Sequence, residues 1–410
     1  MASPTVLTAN AFPTFPLPPT VITSPPTSAE AVQKAELDAS KLTYTFITAP
    51  SPIPDEVSAS RSDVTIATDH MITATWDDST GWAAPELKPY GAFQLSPAAS
   101  CLHYATECFE GLKVYRGFDG KLRIFRPEHN CTRMGLSARR VSLPPFDPIA
   151  LQKLITVLIS IDCPRWLPKT RAGSFLYIRP TMIGTHAQLG VQTPKAALLY
   201  IMLAFIPRLD SPVGGMRLLT SPQDTVRSWV GGFGYAKVGA NYGPALAAGQ
   251  EAQREGFHQT LWLYGDGECT EAGGSNFFVV WRRGDGKTEV LTAPLDDGII
   301  LDGVTRRSVI DGLRGGVAGD VEVTERKYCI RELLEASAQG RILEAFVTGT
   351  AYFICPVSLI QHNGKKIHIP MGDEGKPGDI TGRVKGWIND IMYGPQQHPW
   401  GVVIPDGQSM

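Results

Sequence analysis

One lysine in this chain stands in unusual company. Lys237 lies in the run WVGGFGYAKVGANYGP, residues 229–244, with five glycines and no other charge. Small and aromatic neighbours strip water from an amine, which lowers its pKa and leaves it available as a nucleophile. That is Schiff-base chemistry, although a solvated lysine on a glycine loop is the plainer reading of the run by itself. The sequel narrows the choice. Residues 269–282, CTEAGGSNFFVVWR, set Glu271 ahead of a glycine turn that leads into an apolar, strand-like run. A lysine and a carboxylate on neighbouring strands are the two side chains that pyridoxal phosphate requires. The lysine binds its aldehyde carbon, and the carboxylate keeps its ring nitrogen protonated so that the ring can absorb electrons. A phosphate also needs N–H groups and a cation. Asp302, Gly303, Val304 and Thr305 read as a turn entering a helix, whose first amides and dipole favour an anion; Asp302 reads equally as an ordinary helix cap.

These residues need elements to hold them. At 410 residues the chain exceeds one typical core and implies two domains. Lys+Arg 38 against Asp+Glu 40 gives a net charge of -2, so the balance calls for neither nucleic acid nor an anionic membrane surface. The seven cysteines include no C-x-x-C pair, which fits reduced thiols rather than a disulfide framework or a metal site. Residues 1–60 are rich in Pro, Ser and Thr, with no Lys or Arg before Lys34, and read as a disordered arm with a short helix at 29–43. Lacking an arginine-rich amphipathic helix, the arm points to a cytoplasmic protein rather than a mitochondrial one.

Residues 61–206 form the expected small N-terminal domain, with strands at 63–77, 121–126, 174–184 and 195–206 and a helix at 146–161 that stops before Cys163-Pro164. The apolar run 196–206, AALLYIMLAFI, is too short to span a bilayer and reads as a buried strand. Residues 207–216, rich in Pro and Gly, are the expected linker. Residues 217–410 form the expected larger domain. It holds the lysine loop, helices at 242–257, from about 303, at 330–339 and at 379–393, and strands at 258–264, 287–293, 321–327 and 344–354.

The runs SCLHYATECFEGLKVYRGF (100–118), FRPEHNCTRMGLSARRVSLPP (125–145), LYIRPTMIGT (176–185), ILDGVTRRSV (300–309) and VTGTAYFICPV (347–357), with the lysine loop and the Glu271 turn, resemble the branched-chain amino acid aminotransferases of the fold-type IV pyridoxal-phosphate enzymes, in the same order. The resemblance implies an α/β (α+β mixed) two-domain fold, with pyridoxal 5'-phosphate in the cleft between the domains, and a homodimer. It implies Lys237 as attachment point and catalytic base, Tyr242 on the 3' oxygen, Glu271 on the ring nitrogen, and Arg133, Val304, Thr305 and Thr350 around the phosphate. Tyr104, Phe109, Tyr177, Arg179, Thr350 and Ala351 would meet the substrate; Arg179 would grip the distal carboxylate of glutamate. Core packing is the alternative for Tyr104, Phe109 and Tyr177, and a surface charge for Arg133. The implied reaction is a ping-pong exchange of amino and keto groups between an apolar L-amino acid and 2-oxoglutarate. The alternatives are a D-amino acid or amine aminotransferase or lyase of the same fold type, and a cofactor-binding protein without turnover.

The chain departs from the family's pattern in four places. Ala67 stands where an aromatic is usual, Gly274 where threonine is usual, Tyr235-Ala236 precede the lysine, and residues 352–355 read YFIC in place of a redox-active C-x-x-C. The first two remove volume near the substrate, which predicts a pocket reshaped for a bulkier or less usual side chain in a specialised biosynthetic pathway.

Overall fold

The computed structural model of this chain describes residues 34–55, 62, 64–206 and 211–407. Most of the expected arm, and residues 207–210 of the expected linker, lie outside them. Of the expected helix at 29–43, the described part holds one 3-10 turn, Ala39–Lys41, whose Asp38 cap accepts from the Ser40 amide.

Two sheets carry the fold. The first has ten strands in the order Thr43–Tyr44, Glu86–Pro89, Ile66–Asp77, Ala196–Phe205, Phe175–Gly184, Leu112–Arg116, Leu122–Phe125 and Gly401–Ile404, with Gly81–Trp82 and Glu107–Phe109 paired at the side. Period-two alternation decides its faces. Leu176, Ile178 and Met182, with Ala197, Leu199, Ile201 and Leu203, point into a core shared with Leu151, Leu154, Ile155, Leu158 and Ile159 of the helix Pro148–Trp166. The opposite face carries Tyr177, Arg179 and Thr181 beside Ala204, Met202 and Tyr200, and Ala67 stands opposite Ala204 in the next strand. The site is built on this second face.

The second sheet has nine strands. The strand Glu268–Ala272 pairs with both Gln259–Tyr264 and Ser275–Arg282, so that six strands close into a ring through Met216–Thr220, Phe353–His362 and Ile342–Gly349. Closure removes the exposed edges. Phe277, Val279, Val347 and Val357 fill a core on one side. Their neighbours Phe278 and Val280 turn the other way, with Phe346, to meet Tyr115 and Phe125 of the first sheet and the helices Val304–Arg314 and Asp379–Tyr393. Phe278 and Phe346 stand opposite each other and stack at 4.8 Å, a pair worth about 0.5–1.5 kcal/mol beyond area burial. A shared apolar core therefore holds the two sheets in one geometry.

Four expectations change. The first helix runs on through Pro164 to Trp166. Trp166 is fully buried and donates to Asp69, which holds that last turn in place. The strand expected at 344–354 is two antiparallel strands with a reversal at 350–352, where Phe353 takes φ 61. The helix Pro127–Arg140 was not expected, although Pro127, Cys131, Met134 and Ala138 are buried along one face of it. Gly401–Ile404 leaves the C-terminal part of the chain to pair with Leu122–Phe125 in the first sheet, and buried Arg116 ties it down through Asp406 at 2.9 Å. Among the described residues no helix is long and apolar enough to cross a membrane. All seven cysteines are free, and five of them are buried.

Candidate active site

The lysine loop owes its shape to backbone bonds. Buried Asn241 donates to the carbonyls of Phe233 and Ala236, each at 2.8 Å. The Tyr235 amide donates to the Gly298 carbonyl at 3.0 Å. Lys237 itself is held at both ends of its peptide: its amide donates to Ser137 Oγ at 2.8 Å and its carbonyl accepts from the Phe109 amide at 3.1 Å. The half-buried side chain has little choice of direction. Its Nζ donates to Tyr242 Oη at 2.9 Å and lies 5.1 Å from the centres of the Phe109 and Tyr242 rings.

Glu271 sits in the closing pair of the ring, opposite Asn276, beside the two-residue turn of Gly273 and Gly274. Gly273 has φ 57, the conformation a tight hairpin demands at that position. Glu271 is fully buried, and burial raises its carboxyl above the usual range against the pull of Arg227. Arg227 Nη1 lies 2.5 Å from Oε2, both side chains being almost wholly enclosed. Oε1 accepts from the Leu301 amide and from Asn276, each at 3.2 Å, whereas Oε2 makes no hydrogen bond. Oε1 is engaged by two neutral donors, and Oε2, paired with the Arg227 guanidinium, keeps a second lone pair for one more donor.

Arg133, on the helix Pro127–Arg140, donates through Nε and Nη2 to both oxygens of Glu110 at 2.8 and 2.9 Å, and through Nη1 to the Asp302 carbonyl at 2.7 Å. Three of its five N–H donors are used and two remain. Burial alone would raise the Glu110 carboxyl, but the charge and hydrogen bonds of Arg133 outweigh it and leave the group below its usual range. The Asp302 carbonyl marks the start of the helix Val304–Arg314, whose cap residue Gly303 offers no side chain to the first-turn amides. Asp302 is not that cap, because its carboxylate pairs with Arg307. A Cβ on Gly303 would fall 2.1 Å from Asn276 Oδ1, so the close approach requires glycine. Across the cleft Thr350 donates to the Gly111 carbonyl at 3.1 Å, and the Ala351 carbonyl accepts from Lys113 at 3.3 Å.

On the first sheet, Arg179 donates to Tyr177 Oη at 2.7 Å, and its guanidinium lies 4.6 Å from the Phe109 ring centre. The Phe109 ring is in turn 5.1 Å from that of Tyr242. Lys237, Tyr242, Phe109, Tyr177 and Arg179 thus form one connected group. Tyr104 stands apart: it is 36% exposed, its hydroxyl accepts from the Gly190 amide at 2.8 Å, and its ring neighbour is His103. Sequence reasoning missed Glu110, Arg227, Ser137, Asn241 and Asn276. Nothing local announced any of the five, Glu110 included, whose neighbours Glu107 and Lys113 make it look like an ordinary charged stretch.

An amine beside a phenol, a buried carboxylate with a lone pair to spare, and an uncapped helix start against an arginine together make a site for an aromatic aldehyde that carries a phosphate. Residues 107–360 match the family described as Amino-transferase class IV. The mitochondrial branched-chain-amino-acid aminotransferase of Schizosaccharomyces pombe is 40% identical over 370 residues, 89% of this chain and 85% of that one. The cytosolic enzyme of Mus musculus is 43% identical over 340 residues, 82% and 86% of the two chains. Among solved structures, the branched-chain amino acid aminotransferase of Escherichia coli superposes with a TM-score of 0.61 at 25% identity, covering 82% of this chain and 99% of that one. The chain belongs to the class IV aminotransferases and, within them, to the branched-chain-amino-acid aminotransferases.

Proposed function

We propose that this enzyme uses pyridoxal 5'-phosphate to move an amino group between a branched-chain or related apolar L-amino acid and 2-oxoglutarate, by a ping-pong route. The observation that carries the reading is the pairing of Lys237 Nζ, 2.9 Å from Tyr242 Oη, with a buried Glu271 whose Oε2 is paired with Arg227. Bound there, the cofactor supplies an aromatic ring that withdraws electrons from the bonds of the substrate's alpha carbon.

The chain's own residues do the rest. Lys237 would be the attachment point for the aldehyde and, as a free amine, the base that takes and returns the alpha proton, a contribution of about a hundred- to ten-thousandfold. Tyr242 holds the 3' oxygen. Glu271, whose charge Arg227 favours against the effect of burial, would hold the proton on the ring nitrogen. The Val304 and Thr305 amides, the Thr305 hydroxyl, the two unused donors of Arg133 and the Thr350 hydroxyl would hold the phosphate. Phe109, Tyr177 and the reversal at Thr350 and Ala351 enclose the substrate. Arg179 receives a distal carboxylate when the substrate has one, and is covered by the Tyr177 and Phe109 faces when it does not.

The pocket reading extends to substrate size. Ala67 and Ala204 stand in one row with Tyr177 across three strands, and a Cβ on Gly274 would stand 3.7 Å from the Tyr242 ring. Small residues at these places favour side chains longer or bulkier than that of valine, as a specialised pathway would require. Specificity constants for leucine, isoleucine, valine and longer 2-amino acids test this, and a plain preference for the three branched amino acids would end it. We assign a homodimer on the exposed apolar group of Leu102, Leu189 and Val191 around Tyr104. A cytoplasmic location is proposed on the composition of the arm; imaging of the tagged full chain tests it, and mitochondrial fluorescence would overturn it.

The reaction is tested by a half-reaction of the coloured holoenzyme with glutamate alone. Transamination bleaches the cofactor band and releases 2-oxoglutarate in equal amount. A lyase would release another product, and a binding protein would stay coloured.

A further inference from the structure

The site face of the first sheet carries one carboxylate that the proposed reaction leaves without a task. Glu107 stands opposite Ile183, as Phe109 stands opposite Thr181, and Arg179 lies two residues from Thr181 on the same face. The Phe109 ring lies along this line, 4.6 Å from the Arg179 guanidinium and 5.1 Å from Lys237 Nζ. Glu107 is half-buried and lies against the lysine loop so closely that a Cβ on Gly239 would fall 1.7 Å from its Oε1. Glu110 and Glu271, the other acids of the site, are paired with Arg133 and Arg227. Among the described residues Glu107 has no ion pair, and Arg179 has no carboxylate partner and a buried Nε without a hydrogen bond. The guanidinium therefore has donors to spare, and the Glu107 carboxylate is close enough to feel its charge.

We propose that Glu107 sets the balance between the two kinds of substrate that Arg179 must admit. Ionised, it offsets the guanidinium and favours an apolar side chain; neutral, it leaves the guanidinium to a second carboxylate. This rests on the role given to Arg179 above. Glu107 is a positioning residue, since it acts through Arg179 and not on the reacting atoms.

Burial raises the Glu107 carboxyl above its usual range, with the Gly239 amide and Arg179 pulling the other way without cancelling the rise. The groups around it are Arg179, Tyr200 from the next strand, Cys101 from the helix Ser100–Tyr104, Cys108 beside it in the chain, and the Lys237 amine over the shared ring. Burial pushes Tyr200, Cys101 and Cys108 upward, so they stay neutral. The sign follows. As pH falls through the raised pKa of Glu107, the carboxyl takes a proton, the field at Arg179 grows and a dicarboxylate gains. As pH rises the two like charges repel, and the dicarboxylate loses.

The test compares the wild-type holoenzyme with Glu107→Gln, which keeps the size and the acceptor for Gly239. In the wild type the ratio of kcat/KM for glutamate to that for leucine should rise about three- to fivefold as pH is lowered from about 8 through the raised pKa of Glu107, the effect of one partly screened unit charge. In Glu107→Gln the ratio should be raised at the upper pH and flat below it, with the change in the KM of glutamate rather than in kcat. Glu107→Asp should restore the slope. Calorimetric titration of the wild type with glutarate in two buffers of different ionisation enthalpy should show proton uptake, which 4-methylvalerate should not cause. A Glu107→Gln ratio that keeps the wild-type slope, equal KM changes for both donors, or no proton uptake with glutarate would overturn the proposal. If the wild type transaminates neither donor, the proposed function fails instead.

Discussion

Arg227 decides how firmly Glu271 stays charged. Both side chains are enclosed, so Arg227→Ala leaves a buried carboxylate without compensation, a loss of about 3–5 kcal/mol. Removing that charge also pushes the already raised Glu271 pKa further up, so the acid can no longer hold the ring nitrogen's proton. Urea unfolding should register the first effect, and weakened transamination at neutral pH the second. Glu271→Gln breaks the same pair from the other side: it should lower kcat about a hundredfold and, by leaving the Arg227 guanidinium buried without a partner, cost a similar amount of stability. Glu110 titrates in the opposite sense. Its folded pKa lies below the usual value, so its stabilisation is complete above the unfolded pKa of about 4.3 and is lost as pH falls through the lowered folded value. Thermal unfolding should show wild type above Glu110→Gln near neutrality, with the gap closing in acid. Lys237 and Glu271 stood out in the sequence because each is a charge in a setting that calls for an explanation, whereas Arg133 was picked out only by the resemblance to the family. Their partners Arg227 and Glu110 were not legible, because a buried ion pair joins residues that only the fold brings together.

The elements position these side chains by close backbone approach. Gly234 shows how little room is left: a Cβ there would stand 1.9 Å from the Ile299 carbonyl oxygen, a backbone atom that cannot swing aside. Gly234→Ala should therefore shift the lysine loop, destabilise the protein by about 1–3 kcal/mol, and lower kcat about a hundredfold, the usual effect of displacing a reacting group by an ångström. Denaturant midpoints and steady-state rates check the two parts. Alternation made the strands Phe175–Gly184 and Ala196–Phe205 readable almost to the residue. The same alternation concealed the reversal after Gly349, because the strands on either side are both apolar and the turn TAY contains neither proline nor glycine. The helix Pro127–Arg140 was hidden because its short apolar row, Pro127, Cys131, Met134 and Ala138, is interleaved with the buried polar residues Asn130, Arg133 and Ser137.

At the scale of the molecule, the chain returns to its first sheet for its last strand, with Arg116 and Asp406 as the fastening. Composition could announce two cores but not this return, since strand order depends on contacts between distant segments. The surface carries its own prediction. Val191 is 92% exposed and Leu189 61%, so Val191→Glu should shift the proposed dimer toward monomer in light scattering while leaving the fold intact by circular dichroism. What the whole architecture serves, in this account, is the grip of one amine and one acid on opposite ends of a single aromatic ring. The most direct measurement is the visible absorption of the purified full chain titrated with pyridoxal 5'-phosphate, for the wild type and for Lys237→Ala. The account predicts a stoichiometric band in the wild type, bleached by glutamate, that Lys237→Ala lacks together with its turnover. A Lys237→Ala protein that forms the same band and turns over amino donor at an undiminished rate would contradict it.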